Sequence, residues 1–499
     1  MARVFHPPET YSAPQAGYRL LPFRFVRLGQ EKELLVNEVG EFVIAPNGTA
    51  HALIRKQLAP GSDLYSTFRA KQFMSDDGSS PLLDLLATKY RTKYSFIEGS
   101  TKLHIVVVTL RCDHSCAYCQ VSRQTADKSS YDMSLDTAEK SIGLMMSSPA
   151  PHLTLELQGG EPLLAFDLIR HIVPLAKRQA HSLDKELDIV VTTNLANATD
   201  DMLFYLRDEN IKISTSLDGP AFIHNANRPR PGNNSYELTI QNIERARKIL
   251  GFGRVSALMT TTSLSLQHPT EIIDEYVRQG FHSIFLRPIS PYGFAVRTKH
   301  KTGYQLDAFL NFYRTGLNHI LQLNKNGYDL AEVYAKILLT KILTPYGTGY
   351  VDLQSPAGAG LNVLVYNYNG DVYATDESRM LAEMGDHTFR LGNVRTHNRK
   401  DIFSGDAFLN LSSASCNQAL NGCSDCALQT YCGSDPIFNY ATQGDVFGNR
   451  PTSDFCGRNM SVIKYLFEMI SLQDPEMMRI FLAWIQNAGL EEIRQLGPA

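Results

Sequence analysis

Three cysteines on one short stretch are the residues best suited to chemistry in this chain of 499 residues. Cys112, Cys116 and Cys119 directly follow the apolar run 105–110, which predicts a buried strand. Cysteine thiolates hold iron–sulfur clusters, and three of them can hold three irons of a [4Fe–4S] cubane. Because no fourth ligand lies nearby in the sequence, we expect one iron to stay open for another molecule. The alternatives are a zinc ion with a remote fourth ligand and three structural cysteines.

A pair of glycines follows the next predicted strand. Residues 158–162 read Gln-Gly-Gly-Glu-Pro and come directly after the apolar run 153–157. Adjacent glycines allow a ligand to approach the backbone closely, and Glu161 can accept hydrogen bonds from an ammonium group. The same residues could form a plain turn. Beside the cysteine loop, however, they favour a ligand site over a zinc site or a purely structural loop.

The remaining five cysteines lie together near the C-terminus, at positions 416, 423, 426, 432 and 456. In a reducing compartment such a group binds metal more often than it forms disulfides. Four thiolates suit either a second iron–sulfur cluster or a zinc ion. Cys416 is then spare, either as a small buried hydrophobic residue or as an alternative ligand.

The composition indicates a folded protein of several domains. Hydrophobic residues make up 43% of the chain and charged residues 20%, with a formal net charge of −3. This balance favours neither nucleic acid nor an anionic membrane as a partner. No apolar run approaches the roughly 20 residues that span a bilayer, and the first residues lack the apolar core of a signal peptide. We therefore expect a cytoplasmic protein.

Alternating apolar runs and helical segments predict the scaffold that positions these motifs. Continuous apolar strands are typical of a parallel sheet that is buried on both faces. Because six strand–helix units fall short of an eight-unit barrel, the predicted fold is α/β, a partial (β/α)6 barrel. Both motifs then lie at the face where barrel active sites are found. The six predicted strands are 104–110, 153–157, 187–193, 211–217, 255–261 and 283–286.

Smaller units are predicted around this barrel, which takes residues 101–325. Residues 1–100 indicate a small N-terminal α+β module, either a peptide-docking domain or a packing extension. Residues 326–355 indicate a helical linker, and 461–499 closing helices. Residues 356–460 hold the second cysteine group, together with a hairpin predicted by alternating runs around Asn369-Gly370.

The motifs resemble those of the radical S-adenosylmethionine (SAM) superfamily. Its Cys-x3-Cys-x2-Cys loop matches residues 112–119, and its Gly-Gly-Glu-Pro stretch matches 159–162. The resemblance implies an open iron that chelates SAM, and a 5′-deoxyadenosyl radical that abstracts hydrogen from a substrate. Asp218 could instead belong to a plain turn, and Arg228 could instead form a surface ion pair. The implied SAM-binding residues are Tyr118, Gly159, Gly160, Glu161, Pro162, Asn194, Ser216, Asp218 and Arg228.

The C-terminal cysteines resemble the SPASM extension, which carries auxiliary iron–sulfur clusters. The matching ligands of its second cluster are Cys423, Cys426, Cys432 and Cys456. The positions of the first cluster's ligands hold the stretch 357–360, Thr375 and Pro436. The resemblance therefore implies one auxiliary [4Fe–4S] cluster, with a zinc knuckle as the competing interpretation. Asp376 matches the base of sulfatase-maturing relatives and is either a general base or a turn residue.

Four stretches resemble one branch of these enzymes more closely, the radical SAM maturase of His-Xaa-Ser peptide systems. They are 35–42, 85–94, 119–123 and 285–295. This resemblance implies a ribosomally made precursor peptide with His-Xaa-Ser repeats, a companion radical SAM protein, a small accessory protein and an electron donor. The product expected by analogy is a side-chain crosslink. Formylglycine formation, as in sulfatase maturases, and a cluster-bearing scaffold for a partner enzyme are the alternatives.

Overall fold

The computed structural model describes residues 17–76, 81–99, 101–119, 123–124 and 127–495. The strands in this part are β1 (Arg19–Leu20), β2 (Phe23–Leu28), β3 (Lys32–Asn37), β4 (Phe42–Pro46), β5 (Met74–Ser75), β6 (Leu103–Thr109), β7 (His152–Gly159), β8 (Glu186–Thr193), β9 (Lys212–Ser216), β10 (Val255–Leu258), β11 (Ser283–Ile284), β12 (Ala331–Glu332), β13 (Val363–Tyr366), β14 (Asp371–Tyr373) and β15 (Arg390–Asn393).

The α-helices of the described residues connect these strands and cover the sheet. They span Thr49–Ile54, Asp63–Ala70, Pro81–Tyr94, Lys128–Tyr131, Leu135–Met146, Phe166–Ser182, Asp200–Asp208, Ala221–Asn227, Ser235–Leu250, Pro269–Arg278, Phe294–Arg297, Lys299–Thr302, Leu306–Lys325, Val333–Leu343, Asp376–Glu383, Arg399–Ser404, Asp406–Ser413, Pro436–Gln443, Asp454–Ser471, Pro475–Gln486 and Leu490–Gln495. Two of them begin at the predicted caps, since Ser134 and Thr199 accept hydrogen bonds from the backbone of their first turns.

A central sheet of eight strands has the order β10-β9-β8-β7-β6-β13-β14-β15. The five strands from β6 to β10 are parallel, which confirms the predicted α/β alternation. The short sixth strand, β11, pairs with β12, while the Thr261 N–H donates to the Arg287 carbonyl 2.9 Å away and so links the fifth unit to the sixth. The carboxyl ends of these strands therefore meet around one opening.

The predicted hairpin extends the same sheet on its other side. Strand β13 pairs with β6 in parallel, and β14 and β15 follow in antiparallel register. The buried His104 on β6 lies 2.9 Å from the hydroxyl of Tyr366 on β13. The region that carries the second cysteine group is thus continuous with the barrel sheet. The predicted limits between domains stay a prediction.

The N-terminal module is a three-stranded antiparallel sheet, β2-β3-β4, with short helices beside it. It packs on the C-terminal region, where the ring of Phe42 lies 5.1 Å from that of Phe467 and the Tyr431 hydroxyl donates to the Gly40 carbonyl at 2.8 Å. Within the described ranges, no helix is long and apolar enough to cross a membrane.

Candidate active site

The loop with Cys112, Cys116 and Cys119 is fastened to the barrel from two sides. The Ser115 N–H donates to the Pro229 carbonyl at 2.7 Å, and the Phe294 N–H donates to the Cys119 carbonyl at 2.8 Å. Short hydrogen bonds from separate elements restrict the loop backbone. The three thiols are therefore held at the carboxyl end of β6.

The glycine pair permits this loop to pack against the next strand. A Cβ atom on Gly160 would collide with the carbonyl oxygens of Leu110 and Arg111, and one on Gly159 would collide with that of Thr109. In the structure, the Gly160 N–H instead donates to the Thr109 carbonyl at 2.8 Å. The cysteine loop itself thus approaches the glycines closely. This contact is a structural reason for glycine at positions 159 and 160, in addition to ligand binding.

A cavity of about 160 Å³ opens beside the cysteine loop. It brings together ten of the predicted residues: Cys112, Cys116, Tyr118, Cys119, Gly159, Gly160, Asn194, Ser216, Arg228 and Asp376. They come from the cysteine loop after β6, the ends of β7, β8 and β9, the segment after β9 and the helix after β14. Parallel strands explain the convergence, because their carboxyl ends share one edge.

Three predicted residues do not line this cavity: Glu161, Pro162 and Asp218. The Glu161 carboxylate accepts hydrogen bonds from the Thr193 hydroxyl at 2.6 Å and from the Asn194 N–H at 2.8 Å. Burial raises the pKa of Glu161 to about 7. In this structure, Glu161 joins the ends of β7 and β8, and its predicted contact with an ammonium group stays a prediction.

A buried triad connects Asp218 to the cavity. Its carboxylate accepts hydrogen bonds from the Tyr118 hydroxyl at 2.6 Å and from the Arg228 guanidinium at 3.0 Å. The guanidinium also lies over the ring of Tyr118, 5.3 Å from its centre. Burial opposes the charge of Arg228, but Asp218 outweighs it and raises the pKa of the guanidinium. Arg228 therefore presents a fixed positive charge to the cavity, which suits an anionic ligand group.

Asp376 is the first residue of helix Asp376–Glu383 and faces the same cavity. Its carboxylate lies 2.8 Å from Nε of the fully buried Arg379. With the Gln158 amide oriented so that nitrogen faces the carboxylate, that nitrogen lies 3.2 and 3.3 Å from its oxygens. The helix cap is Thr375, whose side chain accepts from the Ser378 N–H. Asp376 is thus a residue of the helix rather than of an isolated turn.

The spacing of the three thiols suits a cluster better than a single metal ion. Among the residues that the structure describes, the one set of three ligand atoms within 4.8 Å of one another is Cys112, Asp113 and His114. A single zinc would draw its sulfurs to about 3.8 Å of one another, from Zn–S bonds of about 2.3 Å. Burial raises the pKa of Cys116 to about 12, so metal binding must displace its proton.

The C-terminal thiols form a second set. Burial, together with nearby Cys432, Cys423 and Cys426, raises the pKa of Cys456 to about 11, so these four residues are neighbours. No three of them lie within 4.8 Å of one another in the described chain. Four neighbouring thiols suit either an iron–sulfur cluster or a zinc ion. Cys416 is half-buried near Tyr94, and its role stays open.

Comparison with known proteins decides the family. The sequence pattern of the radical SAM superfamily matches residues 106–276. An uncharacterized protein of Methanothermobacter thermautotrophicus is 30% identical over 190 residues, which are 38% of this chain and 68% of that protein. The chain belongs to the radical SAM superfamily. Radical SAM proteins carry a [4Fe–4S] cluster and SAM, and the cysteine loop is the donor set that fits the cluster.

Other similar proteins extend beyond the barrel. A cysteine-type anaerobic sulfatase-maturating enzyme of Clostridium perfringens is 23% identical over 313 residues, 58% of this chain and 77% of that enzyme. The structure of anSMEcpe with bound AdoMet matches with a TM-score of 0.62 at 17% identity, over 76% of this chain and 99% of that one. Streptococcus suis SuiB bound to precursor peptide SuiA matches with a TM-score of 0.52 at 14% identity, over 87% and 98%. These structural matches show the fold, and the superfamily shows that this radical SAM chain is an enzyme.

Several cavity residues of this radical SAM enzyme escaped the sequence analysis: His114, Arg123, Gln158, Thr192, Thr193, Leu258, Met259, Thr260 and Arg287. Gln158 and Arg287 lie in the stretches 158–162 and 285–295, which we interpreted as motifs without assigning a role to these two side chains. Their position next to strand ends was the available signal.

Proposed function

We propose that this radical SAM enzyme modifies a ribosomally synthesised precursor peptide with His-Xaa-Ser repeats and joins two of its side chains. The observation that carries the proposal is the shared cavity, in which the cysteine loop, Arg228 and Asp376 face one another. Two similar structures support a peptide as substrate, since SuiB is bound to the precursor peptide SuiA and anSMEcpe to the peptide Cp18Cys. The His-Xaa-Ser assignment rests on the sequence stretches alone.

The residues for the cofactors follow from their donor sets. Cys112, Cys116 and Cys119 hold the first cluster, and the C-terminal set Cys423, Cys426, Cys432 and Cys456 holds one auxiliary [4Fe–4S] cluster. When bound, the clusters and SAM supply the 5′-deoxyadenosyl radical and a one-electron acceptor. Arg228 binds the carboxylate of SAM, and Tyr118 and Asp218 hold its guanidinium in place.

Joining two side chains removes two hydrogen atoms from the peptide. With SAM and the clusters bound, their radical chemistry would take one as a hydrogen atom, and the other would leave as a proton and an electron, with the electron passing to the auxiliary cluster. Asp376 takes the proton, because it faces the cavity and is held by Arg379. The amide nitrogen of Gln158 donates to the oxygens of the Asp376 carboxylate and helps to orient it.

The N-terminal module offers a place for the rest of the peptide. All five residues of β4 line a groove of about 900 Å³, and Ile470 and Met478 form part of its opposite wall. Among the described strands, β4 pairs with β3 alone and is an edge of its sheet. An extended peptide can add to such an edge by backbone hydrogen bonds. Hydrogen exchange of residues 42–46 should slow when the precursor peptide is added.

Anaerobic reconstitution provides the main test. The enzyme, a reductant, SAM and a peptide with His-Xaa-Ser repeats should yield 5′-deoxyadenosine and a peptide that has lost two hydrogen atoms. A peptide with its His and Ser residues replaced by Ala is the control. Release of 5′-deoxyadenosine without any change in the His-Xaa-Ser peptide would contradict this substrate. The same proposal includes three partners, namely a companion radical SAM protein, an accessory protein and an electron donor, and co-purification tests them. It also includes a cytoplasmic location, which cell fractionation tests.

Formylglycine formation is the second candidate. The similarity to the Clostridium perfringens sulfatase-maturating enzyme and the presence of Asp376 favour it. A sulfatase peptide with Cys or Ser at its target position should then gain an aldehyde that reacts with a hydrazide probe. A third possibility, a scaffold for a partner enzyme, requires that this chain alone release no 5′-deoxyadenosine.

A further inference from the structure

A small charged chamber lies beside the cysteine cavity and has no part in the function proposed above. It has a volume of about 50 Å³, and three carboxylates and two guanidinium groups line it: Asp352, Glu377, Asp435, Arg287 and Arg458. Arg287 lines both spaces, and Glu377 follows Asp376 in the same helix. The chamber therefore adjoins the place where a substrate would react.

The packing of separate elements fixes the shape of the chamber. Asp352 belongs to a short helical turn, Asp435 caps helix Pro436–Gln443, and Arg458 lies on helix Asp454–Ser471. A Cβ atom on Gly433 would collide with the carbonyl oxygen of Asp352, which shows how closely these segments approach. Such packing leaves little room for the walls to move inward.

The charges of the chamber interact without close ion pairs: burial raises the pKa of Asp352, while Arg458 and Arg287 lower it. Within the described chain, no distance of 4.0 Å or less joins a nitrogen of Arg287 or Arg458 to a carboxylate oxygen of Asp352, Glu377 or Asp435. The hydroxyl of Tyr292, which is only 1% exposed, also lines the chamber and has no hydrogen-bond partner there. A buried polar group without a partner is costly, and it marks a place for a ligand group.

An excess of negative charge indicates which ligand fits. With every group ionised, three carboxylates against two guanidinium groups would give a formal charge of −1. Burial, together with the neighbouring Asp352 and Asp376, raises the pKa of Glu377 to about 7. Burial and Asp352 also raise the pKa of Asp435. The raised pKa values mean that these carboxyls hold protons readily when no ligand is bound, and a cation in the chamber would favour their ionised forms.

The size and the walls limit the ligand to one small group. A water molecule needs about 10–15 Å³ by the same measure, so the space holds roughly three to five waters or one side-chain head group. Aromatic rings form part of the wall, including Phe285 and Tyr334, which stack with their centres 6.0 Å apart. Aromatic faces attract cations.

We propose that the chamber is a subsite for the cationic head group of a basic side chain, an ammonium, guanidinium or imidazolium group, of the peptide substrate. The inference rests on the proposed function for the source of the cation. Bound there, the side chain would hold its neighbour in the peptide against Asp376 and the cysteine cavity. The chamber would thus select a peptide by a basic residue close to the one that reacts.

Small ions test the chamber without any peptide chemistry. Calorimetric titration of the reconstituted enzyme with methylguanidinium and n-propylammonium should show saturable binding, and the neutral isostere N-methylurea should not bind. Glu377→Gln and Asp435→Asn should each weaken methylguanidinium binding at least tenfold. Asn can still cap the helix at position 435, and iron content and melting temperature confirm folding. Asp406→Asn, an exposed acid at another helix start, is the matched control and should leave binding unchanged.

The outcomes separate this inference from the proposed function. Equal binding of N-methylurea, no binding of either cation, or unchanged binding by both variants would overturn the chamber proposal even if peptides are modified. Charge-dependent binding without any peptide modification would leave the cation site standing and contradict the proposed function. If a peptide is modified, replacing its basic residues one at a time by norleucine should raise KM at least tenfold at one position.

Discussion

The two groups of cysteines make different environments from the same residue type. The first group supplies three thiols that line a cavity with Arg228 and Asp376. The second supplies four neighbouring thiols, and two of them, Cys426 and Cys432, pack against the hydrophobic core. A set of three leaves a coordination position for a substrate-like molecule, while a set of four closes its site. The number of thiols and the charges around them therefore distinguish the two groups. The first group suits a reactive site, and the second suits a site that would store or pass an electron.

The largest expected effect comes from removing one thiol of each group. Cys112→Ala should abolish 5′-deoxyadenosine release, because the loop then lacks a cluster ligand. Cys426→Ala should retain this release in the absence of peptide and bind about four irons instead of about eight, since each cubane holds four. Iron analysis and product chromatography measure both. If Cys112→Ala still releases 5′-deoxyadenosine, the contrast between the groups is wrong; about four irons and one zinc in the unaltered protein would assign the second group to zinc.

Asp376 separates radical formation from the later proton step. Asp376→Asn should lower the rate of peptide modification by about 10²- to 10⁴-fold, the usual contribution of a general base. Release of 5′-deoxyadenosine should persist, because the cysteine loop is intact. Mass spectrometry and product chromatography on the same samples measure the two rates. Asp406→Asn is the control, and a rate of modification unchanged by Asp376→Asn would remove this residue from the mechanism.

The triad beside the first cysteine group gives a smaller effect. Tyr118→Phe deprives the buried Asp218 carboxylate of one donor, which costs about 1–3 kcal/mol. We expect weaker SAM binding, since Arg228 loses part of its support, and equilibrium binding measurements test this. Tyr205→Phe removes a buried hydroxyl that has no partner in the described chain and is the matched control. Equal SAM affinity for both variants would show that the triad does not position Arg228.

The link between the two regions should respond to acid. His104 joins β6 to the hairpin, and burial lowers its pKa to about 3 from about 6.5 when unfolded. A group whose pKa is depressed by folding stabilises the protein above its unfolded pKa and loses this contribution as the pH falls. Between pH 6.5 and pH 5 the free energy of unfolding should drop by about 2 kcal/mol on account of His104.

His104→Gln should remove this part of the pH dependence while keeping a polar contact for Tyr366. Urea unfolding at several pH values measures the slope, and the exposed His181→Gln serves as control. If His104→Gln and the unaltered protein lose stability in parallel, the histidine is not the acid-sensitive link.

Much of the site was predictable because its parts are local. The cysteine spacing, the glycine pair and the β/α alternation each lie within a few residues, and the parallel strands bring them to one edge. The pairing of β13 with β6 was not predictable, since it joins segments that are distant in the sequence. The contacts of Glu161 with Thr193 and Asn194 escaped prediction for the same reason.

The sequence by itself determined the residue types, their spacing and the strand ends that carry them, because these decide what a thiol or a carboxylate can bind. Only the tertiary structure decided which of these groups share a space. It turned Thr375 into a helix cap, brought Asp376 into the cysteine cavity and gathered Asp352, Glu377 and Asp435 into a chamber. The physical reason is that burial and charge proximity arise from packing between distant segments, which no local pattern encodes.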